Sequence, residues 1–144
     1  MSTMGFKWSG IGPPPQVKDY PSDGGNDVVA HDLVSLDGGS VTIASDGDIF
    51  GVALKAIGSS TAVNIPVQVI TQDGIWIAQA DTTTAATYVG EDYGLNYTSG
   101  SMSVDIGDTT TTQVRIEQLD SRDGAKSGGR VYVKFLSTSL KEDV

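Results

Sequence analysis

Residues 63–80, VNIPVQVITQDGIWIAQA, constrain the fold of this chain more than any other stretch. Val63, Ile65, Val67 and Val69 alternate with Asn64, Pro66 and Gln68, the period of two expected of a strand with one buried face. Asp73-Gly74 stands where the chain must reverse, and Asp-Gly suits a two-residue hairpin turn because glycine reaches positive φ without a Cβ clash. The pattern predicts a β-hairpin in which Gln72 pairs with Ile75. In that register Val67 faces Ala80, Val69 faces Ala78 and Thr71 faces Trp76 on a core side. Ile70, Ile75 and Ile77 gather on the other side with Gln68, Gln72 and Gln79. That second side is too apolar for bulk water and too polar for a core, as expected of a surface that touches another protein. A three-residue turn would shift the pairing by one and exchange the two sides.

The remainder of the chain is compatible with more strands of the same kind. At 144 residues it has the length of one domain, enough to bury about two thirds of its unfolded surface without metals or disulfides. Eighteen glycines, many Thr, Ser and Val, and few apolar runs at helical spacing indicate an all-β protein with tight turns. Residues 27–36, 40–44 and 49–54 read as strands separated by Asp37-Gly38-Gly39 and Asp46-Gly47, and Gly58-Ser59-Ser60 precedes the hairpin. Gly51 and Ala53 would permit close approach of another backbone. Residues 81–87, DTTTAAT, offer one weak helical turn capped by Asp81. Alternation then recurs at Met102-Val104-Ile106, Val114-Ile116 and Val131-Val133-Phe135, with a polar surface loop over residues 120–129. About eight short strands at such spacing predict a small β-barrel or β-sandwich, occupying residues 28–144 as a single β domain.

Residues 1–27 lack strand or helix periodicity and read as an extended arm, because Pro13-Pro14-Pro15 imposes a polyproline-like path. Phe6, Trp8, Ile11, Val17 and Tyr20 punctuate it, whereas a disordered linker is poor in large apolar side chains. Phe6 and Trp8 are therefore expected to be anchors, docking on a neighbouring subunit or back onto their own domain.

Chemistry-bearing residues are sparse. Without cysteine there is no disulfide framework, thiolate zinc site or Cys nucleophile. His31 is the lone histidine and lies in no HExxH or Gly-x-Ser-x-Gly pattern. Asp46 with Asp48, Glu91 with Asp92, and Asp120 with Asp123 sit at turns, where Asp is favoured for local hydrogen bonding, and none completes a calcium loop. No Gly-Lys-Ser phosphate loop occurs. The expectation is a protein that is not an enzyme and needs no cofactor. No apolar run approaches the ~20 residues that span a bilayer, and the N-terminus lacks the order of a signal peptide, so no membrane partner is expected. The net charge of -9 argues against direct nucleic-acid binding. The acid is concentrated: residues 21–114 hold twelve acids and one base, while residues 1–20 and 115–144 each carry net +1.

One resemblance emerges from particular stretches: Asp32-Leu33-Val34-Ser35-Leu36-Asp37-Gly38-Gly39, Val41-Thr42-Ile43-Ala44 with Asp46-Gly47, Phe50-Gly51-Val52-Ala53-Leu54, Ile65-Pro66-Val67-Gln68-Val69, and Val89-Gly90-Glu91-Asp92-Tyr93. This order resembles the small head decoration, or cement, proteins of tailed bacteriophages, over about residues 28–138. The resemblance implies a compact β-barrel or sandwich on the outer surface of the virion capsid, often a homotrimer, that staples neighbouring major capsid proteins against the pressure of packaged DNA. It brings no catalytic residues, and it leaves the arm outside. Candidate partner-binding residues are Phe6, Trp8, Ile11 and Pro14 of the arm, Ile70, Ile75 and Ile77 of the hairpin, and Arg122, Lys126 and Arg130. Those three bases, with Lys7, Lys18 and Arg115, are candidates for contact with an acidic capsid exterior. The alternative from another class is a β-sandwich carbohydrate- or receptor-binding module, with Trp76, Tyr88, Tyr93 and Tyr97 as aromatic platforms.

Overall fold

The computed structural model of the chain describes residues 4–25, 28–57, 63–123 and 126–141. Eleven strands appear among them: β1 (Lys7–Ile11), β2 (Val17–Pro21), β3 (Leu33–Asp37), β4 (Ser40–Ile43), β5 (Gly51–Ala53), β6 (Asn64–Val69), β7 (Ile75–Gln79), β8 (Asp92–Asn96), β9 (Ser103–Asp105), β10 (Val114–Leu119) and β11 (Arg130–Phe135). They form two antiparallel sheets, one of six strands ordered β1-β7-β11-β10-β8-β9 and one of five ordered β2-β6-β5-β3-β4. Each sheet bends until distant strands touch: Ser22 bridges Val41 in the smaller, and Ala80 bridges Val104 in the larger. Each contact is a single bridge, so neither sheet closes into a barrel, and the architecture is a sandwich of two curled sheets.

Two apolar clusters follow from this shape. The larger lies between the sheets and joins Leu33, Val52 and Ile70 to Trp76, Ile116, Val133 and Phe135. The smaller gathers Val34, Leu36, Val41, Ile65 and Val67 within the bend of the five-stranded sheet, where Phe50 meets Tyr20 edge-on at 5.3 Å. β3 contributes Leu33 to one cluster and Val34 and Leu36 to the other, which is why it reads as a nearly continuous apolar run and not as an alternation. β7 and β11 have one buried face, and their alternation is clean.

The expected hairpin does not form. β6 belongs to the five-stranded sheet and β7 to the six-stranded one. After Val69 the chain leaves the first sheet: the Ile70 N–H donates to Phe50 O at 3.0 Å and its side chain turns into the core, 5% exposed. A tight turn follows, closed by Gly74 N–H to Thr71 O at 3.4 Å. Asp73-Gly74 thus marks a corner between layers. The turn predicted at Gly38-Gly39 does form, with Asp37 opposite Ser40 and φ of 58° and 85° at the two glycines, both in the region a two-residue turn requires. The close approach expected at Gly51 is also present: a Cβ there would collide with Gln68 O and Val67 Cγ1.

The N-terminal segment is extended and folds back onto its own domain. β1 pairs with β7, through Lys7 with Ile77, Trp8 with Trp76 and Ile11 with Ile75. β2 pairs with β6, from Val17 with Gln68 to Pro21 with Asn64. Residues 12–16 turn the same corner as residues 70–74, and Gln16 O accepts the Val69 N–H at 2.8 Å. The three prolines occupy this corner, where the ladder is interrupted and their missing N–H groups leave nothing unpaired. Of the two dockings open to Phe6, on a neighbour or on its own domain, the second is found: it is fully buried in the between-sheet core, its ring 5.7 Å from that of Phe135.

Two further expectations change. The strand predicted over residues 27–36 begins only at Leu33, because buried Asp32 organises the preceding turn, accepting the Val29 and Gly100 N–H groups and the Ser99 hydroxyl. Asp81 caps no helix; it accepts the Ile106 N–H and the Asn96 amide instead, and the short 3-10 turn falls at Ala86–Tyr88. The loop at Gly58-Ser59-Ser60 lies outside the described residues. Because Phe6 is core, Phe6→Ala should cost about 3–5 kcal/mol of unfolding free energy in a denaturant titration; an anchor left in solvent would lose almost nothing.

Candidate contact surface

β7 buries Trp76 and Ala78 and leaves Ile75, Ile77 and Gln79 half-exposed on the other side. Residues directly opposite one another in an antiparallel pair share a face. Ile77 lies between Lys7 of β1 and Tyr132 of β11, Gln79 opposite Arg130, and Ile75 opposite Ile11. Further across the sheet Lys134 pairs with Arg115, and Arg115 with Asp92. The outward face of the six-stranded sheet therefore carries an apolar strip of Ile11, Ile75, Ile77 and Tyr132, flanked by Lys7 and Lys134. Ile11 is 47% exposed, and Val17, beyond the corner, 54%. A β-bulge places Ile11 here: the register shifts between Trp8 and Ile11, and the Ser9 hydroxyl donates to Ile75 O while accepting the Ile11 N–H at 3.1 Å.

The sequence-predicted contact residues divide accordingly. Ile75, Ile77 and Ile11 come together on this face, as neighbours on separate strands and not as one side of a hairpin. Pro14 is exposed at the corner beyond them. Trp8, opposite buried Trp76, turns inward and packs half-buried on the core. Phe6 and Ile70 are removed from any contact surface by burial. Tyr132 and Lys134 were not singled out in sequence; the alternation of RVYVKF marks both as outward, but only the sheet order brings them beside Ile77.

The bases behave differently from expectation. Arg122 forks onto Asp120, Arg130 onto Asp123 at 2.7 Å through two nitrogens, and Arg115 onto Asp92 at 2.8 Å. Bidentate guanidinium–carboxylate geometry uses the charge locally. These arginines consequently serve their own chain first, Arg122 and Arg130 fastening the ends of the loop between β10 and β11 and Arg115 tying β10 to β8. Among the described residues no carboxylate lies within 4.0 Å of Lys7, Lys18, Lys126 or Lys134. The available positive charge thus rests on lysines, two of them on the apolar strip's borders. The loop read as wholly polar surface holds one buried carboxylate, Asp120, 2% exposed. Hydrogen bonds from the Arg122 side chain, then its backbone N–H and the neighbouring guanidinium charges, outweigh burial and hold this carboxyl down at about 2. Arg130 holds Asp123 well below the ordinary carboxylate range in the same way.

The aromatic residues proposed as sugar platforms are occupied elsewhere. Trp76 and Tyr93 are buried, Tyr88 stacks edge-on against Tyr93 at 5.7 Å, and the half-buried Tyr97 hydroxyl donates to Asp46 at 2.8 Å. A cleft of about 220 Å³ lies at the end of β7, lined by Gln79, Asp81, Ser101, Ser103, Ser127 and Gly128. Its polar groups largely satisfy one another: Gln79 donates to Gly128 O and accepts the Met4 N–H, and Asn96 joins Asp81 to Ser103. No helix among the described residues is long and apolar enough to cross a membrane.

No protein-family model, curated protein or solved structure matches this chain. For the Asp120 carboxylate the folded pKa lies below the unfolded value of about 3.9, so its stabilisation is complete above that pH and is lost as pH falls toward about 2. Thermal melts between about pH 5 and about pH 2 should therefore show a smaller acid-induced loss of stability in Asp120→Asn than in the native chain.

Proposed function

We propose that this chain is a structural protein that decorates the outer surface of a tailed-phage capsid and holds neighbouring major capsid proteins together. The observation that carries this reading is the outward strip of Ile11, Ile75, Ile77 and Tyr132, set on a sheet whose other face already has a complete core. An apolar strip on an outward sheet face, bordered by lysines that no carboxylate approaches within 4.0 Å among the described residues, suits a protein surface with acidic character. The family resemblance supplies the identity of that surface as the capsid exterior. Stapling also needs a domain that resists being pulled open, and two curled sheets joined by strand pairs on both sides of a corner offer that resistance.

The strip, with Lys7 and Lys134, is then the docking face, while the acidic remainder faces solvent or a neighbouring copy. Removing residues 1–20 would be a poor test, since it takes away β1 and most of β2. A substitution on the strip is cleaner. Ile77→Asp should fold normally yet bind capsids lacking the protein about thirtyfold more weakly, the equivalent of losing an interface residue worth about 2 kcal/mol. Occupancy would be read by electron microscopy and by sedimentation of particles with the protein added back. High salt should weaken binding by screening Lys7 and Lys134. Undiminished occupancy by a folded Ile77→Asp protein, in low and high salt alike, would remove the strip from consideration.

A further inference from the structure

The lone histidine takes no part in the contact surface, and its surroundings are unusual. His31 is the one non-glycine residue among the described residues in the left-handed backbone region, with φ 74°. From there its carbonyl accepts the Phe6 N–H at 2.9 Å, while its own N–H donates to Ala53 O at 2.7 Å. One residue thereby fastens the N-terminal segment to the end of β5. Gly5 lies directly against it: a Cβ on Gly5 would come to 2.5 Å from His31 O and 2.8 Å from His31 Cβ. The imidazole Nδ1 is buried and has no hydrogen-bond partner.

Two charged groups act on this ring, Lys7 from β1 and the adjacent Asp32. Asp32 already receives three hydrogen bonds, from Val29 N–H at 3.0 Å, the Ser99 hydroxyl at 2.7 Å and Gly100 N–H at 3.0 Å. From β5 the contact is a backbone carbonyl, that of Ala53. A neutral ring leaves one lone pair without a donor. A protonated ring leaves a charged N–H without an acceptor at that buried atom, within the field of a second cation, Lys7, which costs more.

We propose that His31 is an acid-sensitive latch for the N-terminal segment: protonation of its ring weakens the docking of residues 4–11 and uncovers the edge of the six-stranded sheet. Burial of the ring first, and Lys7 second, lower its pKa from the ordinary 6.5, with Asp32 opposing in part. The docked state therefore binds the proton less readily than the released one. Docking is at full strength above about pH 6.5 and is progressively lost as pH falls below it. Release also lets His31 leave a backbone conformation that side chains other than glycine rarely adopt. Phe6 and Trp8 come out with the segment at each release, so acid raises the fraction of time these two aromatics spend away from the core.

Amide hydrogen exchange, corrected for intrinsic rates, measures this at about pH 7.5 and about pH 5. Exchange in residues 4–11 should rise several-fold on acidification while β11 stays protected, which separates release from global unfolding. His31→Asn should abolish the rise, since Asn tolerates the left-handed region and does not titrate. Lys7→Gln should reduce it. An unchanged acid response in His31→Asn, or exchange in residues 4–11 independent of pH in the native chain, would overturn the proposal. Because there is one histidine, its ring proton resonance can be followed without assignment. A midpoint at or above 6.5 in the native protein would overturn the proposal equally, whether or not the variants fold.

Discussion

Residues 64–77 leave one sheet and enter the other, and residues 7–21 follow them in antiparallel pairing on both sides of the corner. This double ribbon is the constraint on which the sandwich depends. A single strand crossing between layers fixes their separation but not their relative rotation, and a second strand paired to it on both sides restrains both. The ribbon also explains the location of the core. Ile70 at the crossing, Trp76 just after it and Phe6 at the head of the returning segment all point into the space between the sheets. Burial at those positions is the hydrophobic return on ordering a long, otherwise exposed segment.

The surface follows from the same arrangement. With Trp8 and Trp76 inward, Ile11, Ile75 and Ile77 have only the outward side to occupy, and Tyr132 is delivered beside them by β11. Charge is distributed by chemistry as much as by position. Arginine, with its planar fork, pairs with aspartates of its own chain, Arg122 and Arg130 around the β10–β11 loop and Arg115 across to β8, whereas Lys7, Lys18, Lys126 and Lys134 have no carboxylate within 4.0 Å among the described residues. A basic residue near a terminus is therefore a weak guide to partner contact, and its pairing within the fold decides whether its charge is available.

Much of the local structure was legible. Strand period in β7, β10 and β11, the glycine turn at Gly38-Gly39 and the close approach at Gly51 depend on neighbours within a few residues, and each is found where the pattern predicts it. The outward orientation of Ile75 and Ile77 was legible for the same reason. Alternation alone puts Ile70 on the outward side only if one ladder continues through it, and the ladder ends at Val69. The N-terminal segment misleads because edge strands next to a proline corner, with only Tyr20 half-buried over Val17–Pro21, carry no apolar alternation to announce them.

By itself, the sequence determined that the chain is all-β, that residues 63–80 are its pivot and that Ile75 and Ile77 oppose Trp76, because side-chain alternation is a local property of extended backbone. Only the tertiary structure decided that the pivot is a crossing between sheets and not a hairpin, that Phe6 belongs to the core and that Tyr132 and Lys134 complete the outward strip. Asp-Gly can turn a chain back on itself or turn it toward another layer. The choice rests with partners distant along the chain, for which a local pattern holds no information: Phe50 is twenty residues from Ile70, Trp8 sixty-eight from Trp76 and Val133 fifty-seven.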